Sequence, residues 1–344
     1  MKHILRSFAV AGATLVAAAV PSLSAAELNL FAWSEYVPQA VLDQFTEETG
    51  IQVNYETYAS NEEMLSKLLG GAEYDLIQPS EYVIEVMVRR GMLAPIDFNA
   101  VPNFKNIGKE YLNLPHDPEQ KFSVPYMAGS VGIVVNTDRV KDPISGYADV
   151  FSGKYAGRIV ALDDNRELLT WALHATGQDI NTISKDSLAK ARPVLAKWLP
   201  QIKIFDSDSP KTALLNGEVD LGIVWSGEAA ILYNEDKKFQ YVLPAEGAHL
   251  FIDSLAIPKD APHKKEAHAF LDFILRPEIS VLISADFPYT NPNVAAREKL
   301  TAEQRANPAS YPSEADSTRL KTFRDIGKTA TEVDKLITDL RGGS

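Results

Sequence analysis

Along the chain, apolar residues alternate between strand-like and helix-like spacing. Residues 28–33 form a short apolar run, after which Val41, Leu42 and Phe45 recur at helical intervals until Gly50. Ile51, Val53, Tyr55 and Thr57 then alternate with polar neighbours, as a half-buried strand does. Asn61 reads as the N-cap of a helix carrying Met64, Leu65, Leu68 and Leu69, with Gly70 and Gly71 at its end. A third strand is expected over 74–78 and a further helix over about 81–91. Strands alternating with helices predict a parallel sheet with right-handed crossovers.

A polar, proline-containing loop over 102–119 precedes an apolar strand over 130–136, and the alternation then restarts. Strands are expected over 158–162, 202–205 and 219–225. Helices are expected from Trp171 to Gly177, over about 185–199 and ending near Gly217. Another strand covers 250–258, and from Lys264 the chain is mainly helical. This order predicts two α/β lobes, each a central sheet flanked by helices, joined by crossing strands near 131–136 and 254–258. The expected boundaries are 27–130 with 258–308 for the first lobe, and 131–257 with 309–344 for the second. Such a clamshell presents the C-terminal ends of its strands to a shared cleft, where a ligand would bind.

The N-terminus adds a location. Lys2 and Arg6, the small apolar stretch over 9–20 and Ser24-Ala25-Ala26 read as a secretory signal peptide over residues 1–26. That apolar stretch is too short to span a bilayer, so an exported, soluble protein is expected. The chain has 34 Lys+Arg against 46 Asp+Glu, a net charge of −12. The leader carries two of those cations and no acid, which leaves −14 on the mature part. An acidic protein repels nucleic acid and anionic membranes, and concentrates small cations near itself. With no cysteine, a disulfide framework and thiolate chemistry are excluded.

Candidate chemistry gathers at the strand ends. Trp33, Ser34, Glu35 and Tyr36 close the first strand, and the same mixture of aromatic, hydroxyl and acid returns at Ser80 to Tyr82 and at Trp225 to Glu228. Asp164 and Glu167 lie three apart at the start of a helix, so both carboxylates share one face. Asp206, Ser207 and Asp208 follow another strand, and Phe251 and Asp253 stand on one face of theirs at period two. With Tyr289, these residues outline a site for an organic cation with an apolar stem. Aromatic faces attract ammonium groups by about 0.5 to 2 kcal/mol each, and a desolvated ammonium requires a carboxylate partner.

The motifs that carry this chemistry resemble those of the bacterial periplasmic spermidine/putrescine-binding proteins, the receptors of polyamine ABC importers. They are Trp33-Ser34-Glu35-Tyr36-Val37-Pro38, Tyr74-Asp75-Leu76, Pro79-Ser80-Glu81-Tyr82, Asp163-Asp164-Asn165-Arg166-Glu167, Phe205-Asp206-Ser207-Asp208, Val224-Trp225-Ser226-Gly227, Asp253-Ser254-Leu255-Ala256-Ile257-Pro258 and Tyr289-Thr290-Asn291-Pro292-Asn293. The resemblance implies a two-lobed, type II-like periplasmic binding fold. It also implies a polyamine ligand, an ABC permease as partner, a monomeric state, and no cofactor or metal. It implies that Trp33, Tyr36, Tyr82, Trp225, Phe251 and Tyr289 box the polyamine stem. Asp164, Glu167 and Asp253 would hold ammonium groups, while Ser80 and Ser207 would lend hydrogen bonds. Ser34, Glu35 and Glu228 complete the candidate ligand-binding set. Phe251 and Glu228 follow the putrescine type, and Asp164 with Glu167 the spermidine type. Phe323 or Arg324 stands where the spermidine type offers a Gln.

Other readings make different demands. Ala128-Gly129-Ser130-Val131-Gly132 is one residue from a nucleophile elbow, but the strand follows the serine instead of preceding it, which argues against an enzyme. The six histidines show no zinc spacing. A receptor for a γ-amino acid or an opine would need a cation for the ligand carboxylate, and Arg166 is the candidate; at the helix start it is expected to point outward or to pair with an acid. A sensor that binds a polyamine would share the same cleft.

Overall fold

The computed structural model describes residues 26–342. The signal-peptide assignment over 1–26 lies, apart from Ala26, outside the described residues. The strands are β1 (Glu27–Trp33), β2 (Gln52–Tyr58), β3 (Leu76–Ile77), β4 (Ser123–Asn136), β5 (Ile159–Ala161), β6 (Ile202–Phe205), β7 (Leu221–Trp225), β8 (Phe239–Val242), β9 (Ala248–Ala256) and β10 (Leu320–Lys321). Their order is β2-β1-β3-β9-β4-β7-β5-β6, with β10 on β9 and β8 on β4. β2, β1 and β3 run parallel in the first lobe, and β6, β5 and β7 run parallel in the second. β4 and β9 stand between these sets, antiparallel to each other and to their neighbours β7 and β3.

β4 belongs to both lobes because of its length. Fourteen buried residues at about 3.3 Å each carry it through two cores. Val124, Tyr126 and Met127 pack in the first core, and Val131, Ile133 and Val135 in the second. The sequence pattern placed the start of this strand at 130, seven residues late. Pro125 and Gly129 dilute the apolar run, and the pairing with β9 shifts register between Pro125 and Met127, where proline offers no donor. Phe251, Leu255 and Ile257, expected in the second lobe, pack in the first core. The reason is the pairing of β9 with β3 and with the first half of β4.

In the first core, the helix Gln39–Thr49 buries Val41, Leu42 and Phe45 and ends at Gly50, whose φ of 73° is the left-handed cap that glycine adopts freely. The next helix, Asn61–Leu69, is capped by Ser60, which accepts from the Glu63 N–H. The expected cap, Asn61, is instead the first helical residue and is buried. β8 and β10 were not expected, being short strands at the margins of the pattern.

Candidate ligand-binding cleft

Each lobe turns the C-terminal ends of its parallel strands toward the other lobe, and a cavity of about 850 Å³ lies there. All fourteen candidate residues line it. Trp33, Ser34, Glu35 and Tyr36 end or follow β1, and Ser80 and Tyr82 follow β3. Asp164 and Glu167 follow β5, Ser207 follows β6, and Trp225 and Glu228 end or follow β7. Phe251 and Asp253 project from β9, while Tyr289 follows the helix Pro277–Asp286.

Asp253 is buried, and both of its oxygens are addressed. Ser80 Oγ donates to Oδ1 at 2.7 Å and the Tyr36 hydroxyl to Oδ2 at 2.8 Å. Burial pushes the Asp253 carboxyl up to about 7, with the two hydroxyl hydrogen bonds pulling in the opposite direction. Ser80 precedes the helix Glu81–Arg89 but makes no side-chain cap, because its hydroxyl is turned to Asp253. The Asn61 amide donates to Ser80 Oγ at 3.1 Å and to the Tyr82 hydroxyl at 3.0 Å. Asn61 is thus a positioning residue that its reading as a cap concealed.

Aromatic rings continue the wall. Tyr289 lies 5.3 Å from Tyr36 and 5.8 Å from Phe251 between centroids, and Phe251 meets Trp225 edge-on at 5.5 Å and 87°. Gly227 allows this approach, since a Cβ there would collide with the Tyr289 ring. Trp225 Nε1 donates to the Ser207 carbonyl at 3.0 Å. Trp33 Nε1 and Ser207 Oγ, both buried in the lining, have no partner among the described residues.

The second acidic group has two roles. Asp164 caps the helix Asn165–Ala175, accepting from the N–H groups of Arg166 at 2.8 Å and Glu167 at 3.0 Å. Burial, and then the neighbouring Glu167, push its carboxyl up to about 6. Glu167, expected to hold a ligand ammonium directly, already has Oε1 at 2.5 Å from His249 Nδ1. Its Oε2 is buried and unpartnered among the described residues. His249 Nε2 is 3.1 Å from Glu81 Oε1, and the ring stacks on Phe323 at 3.5 Å. Burial opposes charge on His249, but Glu167 and Glu81 raise its pKa to about 9. The sequence reading gave His249 no role. One signal was present: His249, Phe251 and Asp253 alternate on one face of β9.

Glu35 and Glu228 also depart from expectation. Lys211 Nζ lies 2.8 Å from Glu35 Oε2 and 2.8 Å from Glu228 Oε1, so the protein's own ammonium occupies both acids. Ser34 Oγ donates to Asp208 Oδ1 at 2.6 Å, a second contact between lobes. Among the described residues Arg166 is half-buried and forms no ion pair with an acid. It donates to the Ile180 carbonyl at 2.7 Å and lies over the Phe323 ring at 4.7 Å. Arg324 makes two 2.9 Å hydrogen bonds to Glu85.

Comparison with known proteins agrees with this architecture. Residues 40–311 match the family model described as bacterial extracellular solute-binding protein. The chain is 36% identical over 320 residues to the spermidine/putrescine-binding periplasmic protein of Salmonella typhimurium, covering 92% of each. It is 34% identical over 339 residues to a putrescine-binding periplasmic protein of Escherichia coli, covering 92% of this chain and 91% of that one. Among solved structures, the spermidine/putrescine ABC transporter substrate-binding protein of Streptococcus pneumoniae superposes with a TM-score of 0.81 at 34% identity. It covers 92% of this chain and 99% of that one.

Proposed function

The chain belongs to the bacterial extracellular solute-binding proteins, and from that footing we propose that its cleft captures a polyamine such as putrescine or spermidine in the periplasm for delivery to an ABC importer. The carrying observation is Asp253, a buried carboxylate positioned by Tyr36 and Ser80 among aromatic rings. A buried carboxylate is costly unless a cation meets it, and the rings beside it suit both the methylenes and the charge of an alkylammonium. Asp164 and Glu167 offer a second ammonium partner, which favours a ligand with more than one.

The fourteen lining residues act, in this reading, as the ligand-binding set, with Glu35 and Glu228 acting through Lys211. The protein works as a monomeric receptor and not as a catalyst. Ser130, the serine of the near-elbow, lies within β4 with its Oγ 2.9 Å from the Tyr241 hydroxyl. Nucleic acid is disfavoured as a partner by the net charge of −12. A γ-amino acid or opine would need a cation for its carboxylate, and Arg166 and Arg324 already have protein partners.

Calorimetry with putrescine, spermidine, spermine, γ-aminobutyrate and arginine tests the reading. A polyamine is expected to bind most tightly, with affinity that weakens as salt rises. Tighter binding of γ-aminobutyrate or arginine would overturn it.

A further inference from the structure

We propose that Lys211 determines ligand length, filling one ammonium subsite of the cleft with the protein's own ammonium so that the Glu228 carboxylate is closed to the ligand. This rests on the polyamine reading above. An alkylammonium has three donors, and Lys211 Nζ meets three acceptors: Glu228 Oε1 at 2.8 Å, Glu35 Oε2 at 2.8 Å and Ser209 Oγ at 3.2 Å. The Lys211 backbone N–H addresses the remaining oxygen, Glu228 Oε2, at 3.3 Å. The Lys211 and Glu228 side chains are only 15% and 5% exposed, so the ion pair is shielded from solvent behind the Glu228 carboxylate that lines the cavity.

Glu35 reaches this ammonium from the opposite lobe. Its φ of 54° is a left-handed conformation that side-chain-bearing residues rarely adopt, held here where the carboxylate meets Lys211. Glu35 and Glu228 both line the cavity. The same two carboxylates would bind a ligand's terminal ammonium if Lys211 did not. What remains for the ligand is Asp253 at one position and Asp164 with Glu167 at another. The wild-type cleft therefore favours an amine whose charges end at those acids, and excludes one that needs a further partner at Glu228.

The test is calorimetry on Lys211→Met and on the double variant Lys211→Met with Glu228→Gln, using putrescine, spermidine and spermine. Lys211→Met keeps the side chain's length and uncovers the carboxylate. Spermine is expected to gain on putrescine by about tenfold or more, the scale of one added ion pairing. The double variant also removes the uncovered Glu228 carboxylate and is expected to lose most of the spermine gain seen in Lys211→Met, because only Glu35 then remains at that position. A spermine-to-putrescine ratio within about twofold of wild type in Lys211→Met would overturn the proposal. So would a double variant that keeps the whole spermine gain of Lys211→Met, since Glu228 would then not be the carboxylate that Lys211 covers. Should Lys211→Met fail to fold, Lys211→Gln, which keeps a hydrogen-bond donor for the carboxylates while deleting the charge, is read in its place by the same spermine-to-putrescine ratio. Failure of the wild-type protein to bind any of the three amines would sink the polyamine reading itself, a result distinct from either outcome for Lys211.

Discussion

The Tyr36 hydroxyl, just beyond the end of β1, lies 2.8 Å from Asp253 Oδ2 on β9. One residue closes a strand of the first lobe and the other lies on a central strand of the sheet. Their contact keeps the carboxylate in one orientation among the rings. The same burial that raises the Asp253 pKa to about 7 makes the ionised form costly without a ligand.

A pH dependence follows. In the folded protein Asp253 keeps its proton between 3.8, its ordinary value, and about 7. Its ionisation therefore lowers the stability of the ligand-free protein as pH rises through that window. A bound ammonium stabilises the ion, so binding should release a proton near pH 7. Affinity should weaken by up to about tenfold per pH unit below that point. Calorimetry in buffers of different ionisation enthalpy reads the released proton, and affinity that stays flat from neutral to mildly acid pH would contradict the assignment.

His249 makes a separate, structural prediction. It is a buried imidazolium between Glu167 and Glu81, and Glu81 also accepts from the Ile252 and Phe323 N–H groups at 3.0 Å each. His249→Gln leaves both carboxylates without their cation and should cost about 3 to 5 kcal/mol of unfolding free energy. Because the folded pKa is raised, the stabilisation from charged His249 is present below 6.5 and lost as pH rises through about 9. Denaturant unfolding across that range should show the loss in wild type and not in the variant.

Trp33 is expected to act as the aromatic anchor on the first lobe. Its ring lies 4.7 Å from Tyr58, and it borders the cavity. Trp33→Ala should weaken amine binding by about 2 kcal/mol or more, roughly thirtyfold, while Trp33→Phe should lose less. Equal affinity for wild type and Trp33→Ala, with unchanged melting, would remove Trp33 from the site.

Much of the cleft was legible because strand ends are local features. Trp33 and Tyr36 close a run of apolar residues, and Phe251 and Asp253 show their shared face through period two. Lys211 and His249 were not legible for a physical reason: their partners are distant in sequence. Lys211 lies 176 residues from Glu35, and His249 lies 82 from Glu167. No spacing rule connects such groups until the two lobes are brought together. The two-residue β10 presents too few positions for any periodicity, and Asn61 shares with true caps the polar side chain that concealed its buried role.

The central claim is that Asp253 is the carboxylate that meets the ligand's ammonium, and the affinity of Asp253→Asn tests it most directly. Asparagine keeps the shape; its Oδ1 accepts from one of the two hydroxyls, while its NH2 replaces the other oxygen and donates to the second hydroxyl instead, so the charge is deleted with the side chain still held. The account predicts that the dissociation constant for the preferred polyamine rises by about two to three decades, the scale of a broken buried ion pair, with the variant still folded. Binding within about threefold of wild type would place the ligand's ammonium elsewhere and contradict the account.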